Sequence, residues 1–67
     1  MNGISLRAGD LLDATVTKVL PFGLLVQSSD GTPGLIRGAS AEVGDVVSVR
    51  VVEYDAAQRR FHGSRLQ

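Results

Sequence analysis

Apolar and polar residues alternate in short runs along this chain, and each run is closed by a turn signal. The clearest run is Val47, Val49 and Val51, alternating with Ser48, Arg50 and, after Val52, Glu53. An alternation of period two marks a strand with one buried face. A first strand is predicted from Leu11 to Leu20, launched by the turn Ala8-Gly9-Asp10. Leu12, Ala14 and Val16 share one face there, and the shift to Val19 predicts a bulge or strong coiling. Pro21 cannot donate a ladder hydrogen bond and so ends the strand, while Gly23 permits a tight bend. A second strand, Leu24 to Gln27, runs into Asp30-Gly31, a strong hairpin signal. The third, Gly34 to Arg37, is short. Gly38 to Glu42 has room for a single helical turn at most. Val43-Gly44-Asp45 then repeats the Ala8-Gly9-Asp10 arrangement and launches the fourth strand. Asp55-Ala56-Ala57-Gln58 turns the chain into a last strand, Arg59 to Ser64. Five short strands separated by turns predict an all-β small barrel, whose closure removes exposed edges.

Length sharpens this picture. Sixty-seven residues make one domain, residues 1–67. A chain of this size buries only about 60% of the surface it exposes when unfolded. That leaves little room for an enclosed catalytic cavity beside a core. The absence of cysteine excludes disulfides and thiolate metal sites. No apolar run approaches the roughly 20 residues that span a bilayer, and no signal peptide is visible. The expectation is a monomeric cytoplasmic domain with no membrane contact. The initial methionine and compact ends read as a complete product.

Charge tempers any functional reading. Seven Lys and Arg balance seven Asp and Glu, with a pI near 6.5. Phosphate neutralisation supplies much of the affinity of nucleic-acid binders, so affinity for such a ligand is expected to be modest. The placement is uneven, however. Arg50, Arg59, Arg60 and Arg65 fall in the last third, while Asp10 and Asp13 lie near the start.

Candidate chemistry centres on Pro21-Phe22-Gly23. An aromatic at a bend can lie on the barrel surface, where a base can stack on it, or it can plug the barrel. Phe61 reads as core. Tyr54 reads either as a half-buried cap on the barrel end or as a second base contact. Lys18 precedes the corner and is expected to project near Phe22. Lys18, Arg37 and Arg59 read as phosphate contacts or as ordinary solvated charges. A bridge between Asp55 and an arginine would fix the last hairpin. His62, the sole histidine, reads as a surface or packing residue, with no second histidine or cysteine to complete a metal site. No nucleophile–base pair or phosphate-cradling glycine loop is visible, and the expectation is a non-enzymatic protein without a cofactor.

The ordered set Gly9-Asp10, Val16, Val19, Pro21-Phe22-Gly23, Val26, Gly34-Leu35-Ile36, Val43-Gly44-Asp45, Val49, Val51, Asp55, Arg59-Arg60 and Ser64 resembles the S-one domain. This is the RNA-binding repeat of ribosomal small-subunit protein one, found also in ribonucleases and in transcription and translation factors. The resemblance runs from Leu6 to Ser64. It implies a five-stranded OB-fold barrel with single-stranded RNA lying across one face, here with a shortened loop between strands three and four. It places the family's corner aromatic on Phe22, its aspartate on Asp55 and its arginine on Arg59. Two positions depart from the family pattern. Leu25 stands where a second aromatic is usual, and offers apolar contact without a π-face. Arg37 stands where a histidine is usual, and its guanidinium can stack on a base or pair with phosphate. The implied function is a sequence-tolerant RNA-binding module of bacterial RNA metabolism or translation, with ribosome, polymerase or nuclease components as possible assembly partners. The rival reading docks the same barrel face on a protein. Zero net charge, Leu25, and exposed apolar residues expected at Val46 and Val52 favour the rival.

Overall fold

In the computed structural model, which describes residues 6–66, the alternation translates directly into a barrel. The strands are β1 (Leu11–Leu20), β2 (Gly23–Ser28), β3 (Pro33–Arg37), β4 (Val46–Asp55) and β5 (Arg60–Arg65). They close in the order β1-β2-β3-β5-β4, an OB-fold. All neighbours are antiparallel except β3 and β5, which run parallel and seal the barrel. The limits of β1 agree with the expected ones, and those of β2, β3 and β5 shift by a residue at one or both ends. Among the described residues the β3–β4 connection forms turns only, with no helical turn.

Inward positions build the core. Ala14 and Val16 of β1 meet Leu24 and Val26 of β2, Ile36 of β3, the three valines Val47, Val49 and Val51 of β4, and Phe61 of β5. Phe61 is the largest of these, and glycine makes space for it. A Cβ at Gly34 would overlap the Phe61 ring, so the ring packs directly on the β3 backbone. Tyr54 is half-buried and packs against the same core, as a cap would.

Two bulges set the polarity of the outer face. Thr17 is skipped in the β1·β2 register, and Val52 is skipped in the β4·β5 register. Without the first, the inward phase of Ala14 and Val16 would continue to Lys18. Without the second, the phase of Val47, Val49 and Val51 would continue to Glu53. Burying an unpaired charge in an apolar core is costly. Each extra residue reverses the phase and turns the charged side chain outward. The slip read at Val19 is therefore a device for exposing Lys18.

The repeated Gly-Asp turns are structural twins. Gly9 and Gly44 adopt φ of 96° and 95°, in the left-handed region that glycine tolerates. The Gly9 N–H donates to the Val51 carbonyl (2.7 Å) and the Val51 N–H to the Asp10 carbonyl (2.8 Å). Gly44, Val16 and Asp45 repeat the pattern at 2.9 and 2.8 Å. Two residues thus oppose one at each end of the β1·β4 ladder, the geometry of a glycine bulge. Each aspartate also accepts a backbone N–H, from Arg7 (2.9 Å) and Glu42 (3.0 Å) respectively. Asp10 and Asp45 are thereby committed to their own turns.

Candidate nucleic-acid interface

The register lines up one outward row across all five strands. Lys18 of β1 pairs with Leu25 of β2, Leu25 with Leu35 of β3, Leu35 with His62 of β5, and His62 with Glu53 of β4. Leu25 faces out because Leu24 and Val26 face in, and Leu35 is half-buried between inward Gly34 and Ile36. The Thr17 hydroxyl donates to the Leu25 carbonyl at 3.2 Å, tying the β1 bulge to the middle of this row.

Around the row lies an open concavity of about 680 Å³. Its floor is aliphatic, made by Leu25, Pro33 and Leu35, and its walls carry Arg37, Arg60, His62 and Gln58. No carboxylate lines it. Glu53 approaches its edge, with Oε1 at 3.8 Å from Nδ1 of His62, an ion pair only when the imidazole is protonated.

Phe22 lies in the corner between β1 and β2, outside the concavity lining. The residue is 59% exposed, as the Pro-Phe-Gly bend suggests. The corner is anchored by backbone: the Gly38 N–H donates to the Phe22 carbonyl at 3.0 Å. That bond fixes the aromatic beside the segment carrying Arg37. Gly23 allows the close approach, since a Cβ there would overlap the Ile36 carbonyl.

Four of the residues singled out in the sequence are therefore neighbours. Lys18 pairs with Leu25, Leu25 and Arg37 line one concavity, and Phe22 is tied to the residue after Arg37. Asp55 and Arg59 are placed differently. The Asp55 carboxylate accepts N–H groups of Ala57 (3.0 Å) and Gln58 (3.2 Å), so it shapes the β4–β5 turn, and it forms no arginine bridge among the described residues. Arg59 sits in that turn with φ of 56°, outside the concavity lining, and its neighbour Arg60 lines the concavity instead. The sequence reading did not assign Arg60, His62, Leu35 and Gln58 to the site, and took His62 for a surface or packing residue. A signal for two of them was present: with Phe61 inward, alternation sends Arg60 and His62 outward together.

Other acids serve local turns. Asp30 accepts from the Ser28 hydroxyl and from the Thr32 hydroxyl (2.9 Å) and N–H (3.1 Å) in the β2–β3 hairpin. The Ser28 bond first, then those from Thr32, hold its carboxyl below the usual carboxylate range.

No family model matches the sequence, and no curated protein matches it. Solved structures do. An uncharacterized protein from Methanocaldococcus jannaschii superposes with a TM-score of 0.81 at 17% identity, covering 94% of this chain and 96% of that one. GSP13 from Bacillus subtilis gives 0.81 at 22% identity, covering 90% of this chain and 55% of its own. RNase R from Mycoplasma genitalium, solved in complex with ribose-methylated single-stranded RNA, gives 0.72 at 14% identity, covering 88% of this chain and 13% of its own. At these identities the likeness is one of fold.

Proposed function

We propose that this S-one-type OB-fold barrel is a non-enzymatic module that binds single-stranded RNA with little sequence preference. One observation carries the reading. An exposed aromatic is tied through its backbone to the residue after Arg37, and Arg37 lines a concavity with Leu25, Leu35 and Arg60 in which no carboxylate takes part. Phe22 stacks a base, Leu25 and Leu35 give apolar contact, and Lys18, Arg37 and Arg60 meet phosphates. Stacking tolerates any base, because every base has a π-face. A neighbour in fold, the RNase R above, was solved with single-stranded RNA, which supports the ligand class. With zero net charge, affinity is micromolar or weaker at physiological salt and falls as salt rises.

The test is a nuclear magnetic resonance titration with short oligoribonucleotides. Shifts gathered at Phe22, Leu25, Leu35, Arg37, Arg60 and His62 are expected. A protein without shifts at any of them would not be an RNA module of this kind. A second reading, a protein-docking face, draws on Val46 and Val52, which are 66% and 55% exposed on β4. Silence toward oligonucleotides would favour it.

A further inference from the structure

A second concavity, of about 440 Å³, opens on the far side of Arg37. Arg37, Gly38 and Ser40 bound it from the start of the β3–β4 connection, and Ser64 and Arg65 from the end of β5. Arg37 borders both this pocket and the aliphatic-floored groove, so the two meet at its side chain. No carboxylate lines the pocket. The Arg65 guanidinium donates Nη1–H to the Ser40 carbonyl, which orients it across the pocket. A guanidinium carries five N–H donors, so the remaining ones are available to a ligand. Ser64 pairs with Arg50 across β4·β5, which puts a third guanidinium on the same outer face beside it.

Guanidinium forks and serine hydroxyls without a nearby acid suit a tetrahedral oxyanion, which they meet through charge-assisted, often bidentate bonds. The geometry points to this pocket as a phosphate subsite, taking a phosphodiester of an RNA strand that leaves the groove past Arg37. The inference rests on the RNA-binding reading and adds to it a direction and a minimum length. Arg60 and Arg65 are five residues apart on one strand, about 17 Å when extended. A dinucleotide seated beside Arg60 in the groove stops short of Arg65. An octanucleotide spans both, within the roughly 4–16 nucleotides that one OB-fold accommodates.

The experiment compares the wild type with Arg65→Ala, Arg65→Lys and Ser64→Asp, using a uridine dinucleotide followed by chemical shifts and a labelled uridine octanucleotide followed by anisotropy. Arg65→Ala is expected to weaken the octamer about five- to tenfold at low salt, and to lower the slope of log affinity against log salt by about 0.7, one phosphate on a single strand. Dinucleotide affinity stays unchanged. Arg65→Lys keeps the charge and recovers most of the slope. Ser64→Asp leaves the Arg65–Ser40 bond in place while adding a carboxylate, and weakens the octamer alone. Equal losses at both lengths would report a loosened β3–β4 connection and overturn the subsite. So would octamer binding indifferent to Arg65 and Ser64, with the groove reading intact. A wild type that binds neither probe removes both.

Discussion

On the proposed reading Phe22 serves binding and Phe61 folding, and truncating each in turn tests that separation. Phe22 is 59% exposed and Phe61 is 1% exposed. Phe22→Ala removes a ring that packs on little, and the corner keeps its Gly38–Phe22 backbone bond because any residue supplies that carbonyl. Surface substitutions of this kind stay within about 0.5 kcal/mol. At 1 kcal/mol per roughly 4–8 °C for a domain this small, the melting temperature moves by less than about 4 °C. The same change removes a stacking platform worth about 1–3 kcal/mol per base, a loss of about five- to 150-fold in RNA affinity. Phe61→Ala does the reverse. It empties the space over Gly34 at the barrel centre, at a cost of about 3–5 kcal/mol. A 67-residue domain has about 3–10 kcal/mol of stability in total, so this variant loses roughly a third or more of it and melts far earlier than the wild type. Thermal melts by circular dichroism and anisotropy titration with labelled single-stranded RNA read both quantities. Phe22→Tyr, which keeps the ring, holds wild-type affinity within about twofold. If Phe22→Ala binds RNA as the wild type does, or melts as early as Phe61→Ala, the reasoning fails.

Three further outcomes follow from single features. Arg60→Ala weakens RNA binding several-fold, whereas Arg59→Gly leaves it nearly unchanged and raises the melting temperature by relieving a left-handed φ, a strain of about 1 kcal/mol; anisotropy and melts on the pair decide it, and the opposite ranking would return Arg59 to the site. The Asp30 carboxyl has a lowered pKa in the folded state, so its contribution is present above the unfolded value and lost as pH falls through the folded one. Wild type therefore outlasts Asp30→Asn in melts at neutral pH, and the gap narrows as pH falls below about 4 and closes below the lowered folded value; a gap that does not narrow on acidification is the contrary result. Gly34→Ala forces the Phe61 ring off its seat and costs about 1–3 kcal/mol by overpacking, read by denaturant titration, with no loss expected if the ring were free to shift.

The strands were legible because each carries its own local code. Inward positions recur at every second residue, and Gly-Asp, Pro-Phe-Gly or Asp-Gly marks the ends. The exposure of Phe22 was legible for the same reason, since its two neighbours force a bend. Strand order was less accessible. The parallel pairing of Leu35 with His62 joins segments far apart in sequence, with no local pattern to announce it. That pairing is what carries Arg60 and His62 to the concavity. Family spacing, counted along the chain, pointed to Arg59. Arg59 stands in the turn with a left-handed φ, one residue before β5 begins, and it is Arg60 that lines the concavity.

Zero net charge and a groove lined by arginines without a carboxylate are compatible because turn chemistry sorts the charges. Aspartate is favoured in turns, where its side chain accepts backbone N–H groups. Asp10, Asp45 and Asp55 each do so, and Asp30 adds two hydroxyls to the same task. Asp13 accepts from the Ser48 hydroxyl at 3.0 Å on the β1·β4 face. Glu53 alone stands at the edge of the groove, opposite His62. The residues that make a small barrel closable thus draw negative charge to its ends and to the β1·β4 side. Arg37 and Arg60 are left facing the groove without a carboxylate in its lining. Screening at physiological salt extends over about 8 Å, so a phosphate seated there responds chiefly to these nearby guanidinium groups and only weakly to the balanced total. Salt dependence should accordingly track the number of groove cations and not the formal charge of the chain.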